Sequence, residues 1–383
     1  MKYVVFVCGG MADRPMPDYN NITSLSVAEK ENMDTLVKFS EIGLVRTSEF
    51  VGNPSPEKVL FSLLGYDKKE YKGSTFFSLL DMGIVPDQED IIFRCSLVNL
   101  SSDEIYEEKT MFSCSSEYML EYEFDCIFDE ISENMSNDVF KFVKGKNKDI
   151  FLVWKKGEAY AGDFLPPEAA LSDCIKEYLP KGDFIQPLYD IMKKSSDILA
   201  DYSCNALWIW GNSSVPEADS FENRFGLRGS LISDVDFARG LGRFAGMEVI
   251  SGEEDIAVKI LAEFDKGQDI VFVYTNDMYK IGMKGDFDGK AEKISKFDSE
   301  ILKPVSERLK AGDEDFGIMI VSDIAVPAYL ERSVSDPVPY LIYKSNIKKK
   351  SGFSSFDENA AADSDNYIEE PHKLIKRFIS RHG

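Results

Sequence analysis

Histidine is the usual source of a general base or a nitrogen metal ligand near neutral pH. This chain of 383 residues has two, His372 and His382, both close to its C-terminus. A mechanism that needs imidazole in the body of the fold therefore has no residue to use. Thiol chemistry is scarcely better supplied. The six cysteines (Cys8, Cys95, Cys114, Cys126, Cys174 and Cys204) are scattered, and none forms a Cys-x-x-Cys pair. That spacing predicts reduced core thiols rather than a disulfide framework or a thiolate metal site. Cys8 is expected to be an inert buried thiol. The local signal with most content is Cys8-Gly9-Gly10-Met11-Ala12-Asp13, a turn directly after an apolar run, where a strand hands over to a loop.

The elements that must position such a loop are legible as a pattern. Short apolar, β-branched runs alternate with longer helical segments, which predicts an α/β protein with a largely parallel sheet. Predicted core strands are Tyr3–Cys8, Asp90–Val98, Ala206–Trp210, Leu231–Ser233, Ile270–Tyr274, Gly317–Ser322 and Pro339–Tyr343. Several are apolar at consecutive positions, as expected when helices cover both sheet faces. Between Asp286 and Lys310, Phe287, Ala291, Ile294, Phe297, Ile301, Val305 and Leu309 recur at spacings of three and four. That is one apolar helical stripe, and Pro304 should kink it. The middle of the chain reads differently: acidic helical stretches at Glu117–Met135, Pro167–Tyr178 and Ile185–Leu199, and two strand-like runs, Val139–Val143 and Ile150–Trp154. The simplest organisation is a core domain of residues 1–100 and 203–383 with a smaller α/β domain, 101–202, inserted. Phe356–Asn366 reads as a mobile acidic loop, and Lys348–Lys350 as a solvated basic run.

Bulk composition excludes several classes. Hydrophobic residues make up 44 % of the chain, so global disorder is not an option. The net charge of −23 repels nucleic acid and anionic lipid. No apolar stretch is long enough to span a membrane, and the N-terminal run is too short and lacks the cleavage site of a signal peptide. A cytoplasmic protein is expected.

The Cys8–Asp13 segment is similar to the Gly-Asp-Gly-Met-Ala-Asp opening of the archaeal-type, cofactor-independent phosphoglycerate mutases, whose bacterial relatives include proposed homoserine kinases. Further matches follow in order: Asn32-Met33-Asp34, Ser62-Leu63-Leu64-Gly65-Tyr66-Asp67, Phe93-Arg94-Cys95-Ser96-Leu97-Val98, Trp208-Ile209-Trp210-Gly211, Gly226-Leu227-Arg228-Gly229-Ser230-Leu231-Ile232-Ser233, and Asp336-Pro337-Val338-Pro339-Tyr340-Leu341-Ile342-Tyr343. The resemblance runs the whole chain and is weakest between Ser101 and Ser203. It implies an alkaline-phosphatase-like core with an inserted domain. It also implies phosphoryl transfer through a serine, supported by two Mn²⁺ or similar ions.

Residue by residue, the ligands implied by the family are mostly replaced. The first aspartate falls on Gly9 and the nucleophile on Pro56, with Ser55 one residue away as the only stand-in; the next aspartate becomes Glu57. Tyr279 and Met283 stand where the family has a carboxylate and an imidazole, Ile324 where it has a histidine, and Ser333 where it has another. Asp323 alone is clearly retained. On the substrate side, Arg94 matches a family arginine and Arg228 replaces a lysine. Gly73-Ser74-Thr75 lacks the arginine of the family loop, and a further loop is shortened to Ser251-Gly252-Glu253.

Three readings follow. In the first, the two-metal site is lost, no cofactor is bound, and the protein serves as a non-catalytic binding or assembly protein for a phosphorylated small molecule or a protein partner. Tyr279 and Met283 would then fill the vacated cavity. In the second, the chain is an active mutase converting 3-phosphoglycerate to 2-phosphoglycerate in glycolysis, or a related phosphotransferase. It would have a rebuilt oxygen-ligand site from Asp13, Glu57, Asp277, Asp286 and Asp323, suited to Mg²⁺ or Mn²⁺. Capping is the competing role for Asp13 and Asp286, and a first-turn position for Glu57. In the third, Arg94 and Arg228 serve a metal-free sugar-phosphate or anion sensor.

Overall fold

The computed structural model describes residues 1–16, 20–48, 55–114, 116, 118–157, 164–182, 185–252, 254–347 and 350–380. Lys348, Lys349, Glu253, Glu117 and His382 lie outside them. The chain divides into two compact units, residues 1–71 with 218–383, and residues 72–217.

The first unit is built on an eight-stranded sheet. Its strands are β1 (Lys2–Cys8), β2 (Ser40–Val45), β8 (Gly229–Ile232), β9 (Glu248–Ile250), β10 (Ile270–Thr275), β11 (Phe316–Ser322), β12 (Val338–Lys344) and β13 (Tyr367–Ile368). The order is β13-β2-β12-β11-β1-β10-β8-β9. Only β12 runs against its neighbours; the other pairings are parallel. β1 is central, flanked by β10 and β11, and Val4 to Val7 are all buried. That is why its sequence is an unbroken apolar run rather than an alternating one.

The predicted long helix is present as Phe287–Lys296, a π-helical stretch Phe297–Leu302 and Lys303–Ala311. The Lys303 N–H donates to the Asp298 carbonyl, five residues back. The widened turn directly precedes Pro304, which has no N–H to give and whose ring would crowd a regular α-turn. The disturbance is thus a π insertion ahead of the proline.

The second unit has its own sheet, in the order β4-β3-β6-β5 with β7 paired to β3. Its strands are β3 (Ile91–Leu100), β4 (Met111–Ser113), β5 (Phe140–Lys144), β6 (Ile150–Trp154) and β7 (Ala206–Ser214). Helices Glu121–Met135 and Gln186–Ile198 pack on it through Phe124, Ile127, Ile131, Leu188 and Met192.

Four expectations are corrected. The unit boundaries fall at 71/72 and 217/218, not near 101 and 203. β3 and β7, expected in the core sheet, pair instead with each other, and β3 also pairs with β6 of the insert. A run of consecutive apolar residues says that a strand is buried, not which sheet buries it. Pro167–Tyr178 is not one helix but two 3-10 turns, Pro167–Ala170 and Ile175–Glu177, with bridges beside them from Leu171 to Met111 of β4 and from Cys174 to Thr110 just before it. Phe356–Asn366 contains the helix Glu358–Asp363, capped by the Asp357 carboxylate accepting from Ala360 N, with Phe356 fully buried. No helix among the described residues is long and apolar enough to cross a membrane.

Candidate functional site

Three neighbouring parallel strands end at the same level, because Cys8 of β1 is in register with Thr275 of β10 and Ser322 of β11. The residues just beyond these ends form a cluster at the carboxyl edge of the sheet, the edge at which open α/β sheets place ligands.

Asp323 is its centre and is fully buried. Oδ1 accepts from Gly10 N at 2.8 Å and from Ile324 N; Oδ2 accepts from the Tyr274 hydroxyl at 3.0 Å. Burial pushes its carboxyl up to about 6, against the lowering effect of these donors. Gly9 lies beside it. A Cβ there would stand 2.5 Å from the Thr275 carbonyl oxygen and 3.3 Å from Asp323 Oδ2. Gly10 has φ +72°, and a Cβ on it would stand 2.5 Å from Tyr279 Cα. The turn therefore needs two glycines, one for space and one also for its left-handed backbone.

Tyr279 sits on the short helix Asp277–Gly282, half-buried. Burial and the Glu57 and Asp323 charges raise its phenol, and burial with Asp323 raises Tyr274 further. Met283 is 37 % exposed and does not fill the cavity as expected. It caps the end of that helix, with its backbone N–H bonded to the Tyr279 carbonyl. Ile324 is buried and offers only backbone; Ser333 adjoins the Ala325–Val334 bridge.

Ser55 is the N-cap of helix Pro56–Leu63: its hydroxyl accepts from Lys58 N at 3.3 Å and donates to Glu57 Oε2 at 2.8 Å. Pro56 occupies the first turn, where a missing N–H costs nothing.

The other proposed metal carboxylates are engaged elsewhere. Asp13 accepts from the fully buried Lys290 ammonium at 2.7 Å and from Ser24 N at 2.9 Å. Lys290 also donates to the Ala12 and Val326 carbonyls, which satisfies all three of its N–H groups. Asp277 pairs with Lys293 at 2.6 Å. Asp286 caps helix Phe287–Lys296 by accepting from Gly289 N. Among the described residues, no three His, Cys, Asp or Glu side chains gather in a way that could hold a metal ion.

Arg228 is not brought to this edge. Arg228 precedes β8, and Gly229 is in register with Ile270 and so with Tyr3, at the opposite edge of the sheet. Six residues at ~3.3 Å each put Arg228 ~20 Å along the strands from the Cys8 level. It is largely exposed and bonds the Gly267 carbonyl. Arg94 belongs to the second unit, where it donates to Ser78 Oγ at 2.9 Å, pairs with Asp149 and lies over the Phe151 and Trp210 rings.

Two residues of weight escaped the sequence reading. Lys290 hides in an amphipathic helix, among lysines that look solvated. Glu358 hides in the segment expected to be loose. Buried, Glu358 accepts from Asp13 N and from the Thr23 hydroxyl, and its carboxyl is pushed up to about 7. The Asp357 capping pattern was the available signal for its helix.

Residues 38–205 match the family model of 2,3-bisphosphoglycerate-independent phosphoglycerate mutase. The probable 2,3-bisphosphoglycerate-independent phosphoglycerate mutase of Geobacter sulfurreducens is 28 % identical and aligns over 100 % of both chains. The chain resembles this relative along its whole length. The Methanosarcina barkeri family member is also 28 % identical, over 94 % of this chain and 95 % of its own. Among solved structures, a protein from Pyrococcus horikoshii superposes with a TM-score of 0.76 at 22 % identity, covering 99 % of this chain and 96 % of that one. The cofactor-independent phosphoglycerate mutase of Thermoplasma acidophilum gives 0.63 at 20 % identity, covering 99 % and 100 %. Both share the α/β fold described above.

Proposed function

We propose that this phosphoglycerate-mutase-like protein has lost the family's two-metal phosphoryl-transfer site and acts as a non-catalytic binding or assembly protein. The observation that carries the reading is the setting of Asp323. Both of its oxygens are committed to donors of the protein itself, and its neighbour Gly9 has no room for a ligating side chain. Bound ions would activate a serine oxygen and neutralise a transferring phosphoryl group. The donors present do not fit them: a glycine, a proline, a half-buried phenol, a thioether and an isoleucine stand at the positions the resemblance assigns to ligands and nucleophile. A serine hydroxyl without such activation is a weak nucleophile, and Ser55 is occupied as a helix cap. The ligand on this reading is a phosphorylated small molecule or a protein, in the cytoplasm.

End-to-end similarity to proteins named as mutases favours a second reading, an active mutase with a rebuilt site. Elemental analysis of the purified protein, beside a 3-phosphoglycerate to 2-phosphoglycerate assay with added Mn²⁺, decides between them. The first reading expects no stoichiometric metal and no turnover. Retained Mn²⁺ with turnover that falls in Ser55→Ala establishes the second.

A further inference from the structure

A cavity of about 550 Å³ opens in the first unit between β2, β12 and the end of the helix His372–Ile379. Its size suits a small ligand. It lies away from the Asp323 cluster. Lys344, on its wall, is paired with Gly317 at the start of β11, whereas Asp323 follows the end of that strand. Six residues at ~3.3 Å separate the two levels by ~20 Å.

The polar lining is cationic in a chain whose net charge is −23. Lys344 is 7 % exposed. Its ammonium donates to the Arg377 and Ser380 carbonyls, at 3.2 and 2.8 Å. Those carbonyls belong to a helix C-terminus, which partly compensates the charge. Two acceptors serve three N–H groups, and among the described residues no carboxylate lies within ion-pair distance of the ammonium. A buried cation in this state gains from an incoming anion. Arg377 pairs through Nε with Glu41 at 2.6 Å, and its side chain is half-exposed. Glu41, the acidic residue of the lining, is held by Arg377 and by the Tyr340 hydroxyl. Lys350, exposed on the rim, has no partner among the described residues. The remaining wall combines neutral polar groups, among them Ser40, Ser351 and Asn366, with an apolar patch of Phe39, Ile347 and Phe353.

From this arrangement we infer a second ligand site that takes a small organic anion, a phosphate monoester or a carboxylate with an apolar body. The anion meets Lys344, Arg377 and Lys350, and its body lies on the aromatic and aliphatic wall. The site uses none of the residues at the carboxyl edge of the sheet, so it stands whether or not the family's chemistry survives there.

Isothermal titration calorimetry of the full chain with phenyl phosphate and with hexanoate tests the site and separates the two anion classes. At least one of them is expected to bind at a single site with sub-millimolar affinity. Lys350→Glu should weaken that binding tenfold or more and leave the thermal midpoint unchanged, since Lys350 is exposed and unpaired. Lys344→Met should weaken it further. If it fails to fold, Lys350→Glu carries the test alone. Tyr279→Phe, at the other edge of the sheet, should bind as the parent does. The inference is overturned if neither anion binds, if Lys350→Glu binds like the parent, or if Tyr279→Phe abolishes binding. None of these results alters the outcome of the metal and mutase measurements.

Discussion

At the scale of single residues, the carboxyl edge is governed by space and by proton affinity. Restoring an aspartate at Gly9 is the obvious attempt to rebuild the family's site, and it should fail. Its Cβ would overlap the Thr275 carbonyl, 2.5 Å away on the central strands. The strain should cost about 2–3 kcal/mol, read as a lower denaturant midpoint for Gly9→Asp with no Mn²⁺ uptake in equilibrium dialysis. Unchanged stability with metal uptake would remove the steric argument. Glu358 gives a prediction of different kind. Its folded carboxyl is raised from 4.5 to about 7 because burial disfavours the charge. Between those values the folded protein holds a proton that the unfolded chain has released, so stability falls as pH rises from 4.5 to 7. The full excursion is on the order of 3 kcal/mol. Thermal midpoints of the parent should therefore rise between pH 7 and pH 5 relative to Glu358→Gln, in which the group cannot titrate. Parallel pH profiles for the two proteins would count against the assignment.

At the scale of elements, much of what looked like family signature is structural. Asn32-Met33-Asp34 opens the helix Glu31–Val37, whose N-cap Lys30 has no side-chain acceptor. The buried Asp298 supplies it from the π-helical turn, accepting from Asn32 N at 3.0 Å, Met33 N at 2.8 Å and Asn32 Nδ2 at 2.7 Å. One carboxylate thus satisfies the orphan donors of a distant helix. Asp298→Ala should cost about 2–4 kcal/mol, because it strands buried N–H groups as well as losing the bonds. Asp298→Asn, which keeps an acceptor, should cost less. Urea denaturation of the two variants checks both the size and the order, and equal losses would contradict the capping role. This case also marks the limit of sequence reading. The parallel strands β1, β10 and β11 were legible because burial on both faces writes itself as an apolar run. The retention of Asp323 and the absence of core histidines were legible as residue types. The cap from Asp298, the Lys290–Asp13 pair and the position of Arg228 were not. Each depends on which strand end or helix turn a residue reaches after folding, and on contacts hundreds of positions apart in sequence. β3 and β7 failed for a related reason: their pairing partners, not their composition, decide their sheet.

At the scale of the molecule, the division at 71/72 and 217/218 separates two hydrophobic cores, each with its own sheet. The second unit begins and ends in the same place, since Ser214 N donates to the Lys72 carbonyl at 2.9 Å. A segment whose ends already meet can be excised with little strain on either part. Residues 72–217 should therefore fold alone. All three tryptophans of the chain, Trp154, Trp208 and Trp210, lie in this segment. Trp208 and Trp210 are fixed by hydrogen bonds to the Leu165 carbonyl and to Ser96 Oγ, both within the unit. Tryptophan fluorescence of the whole protein thus reports this unit. The isolated fragment should show the same emission maximum as the full chain and a single cooperative urea transition. A red-shifted emission without a transition would mean that the second core is not self-sufficient, and that its sheet depends on the unit into which it is inserted.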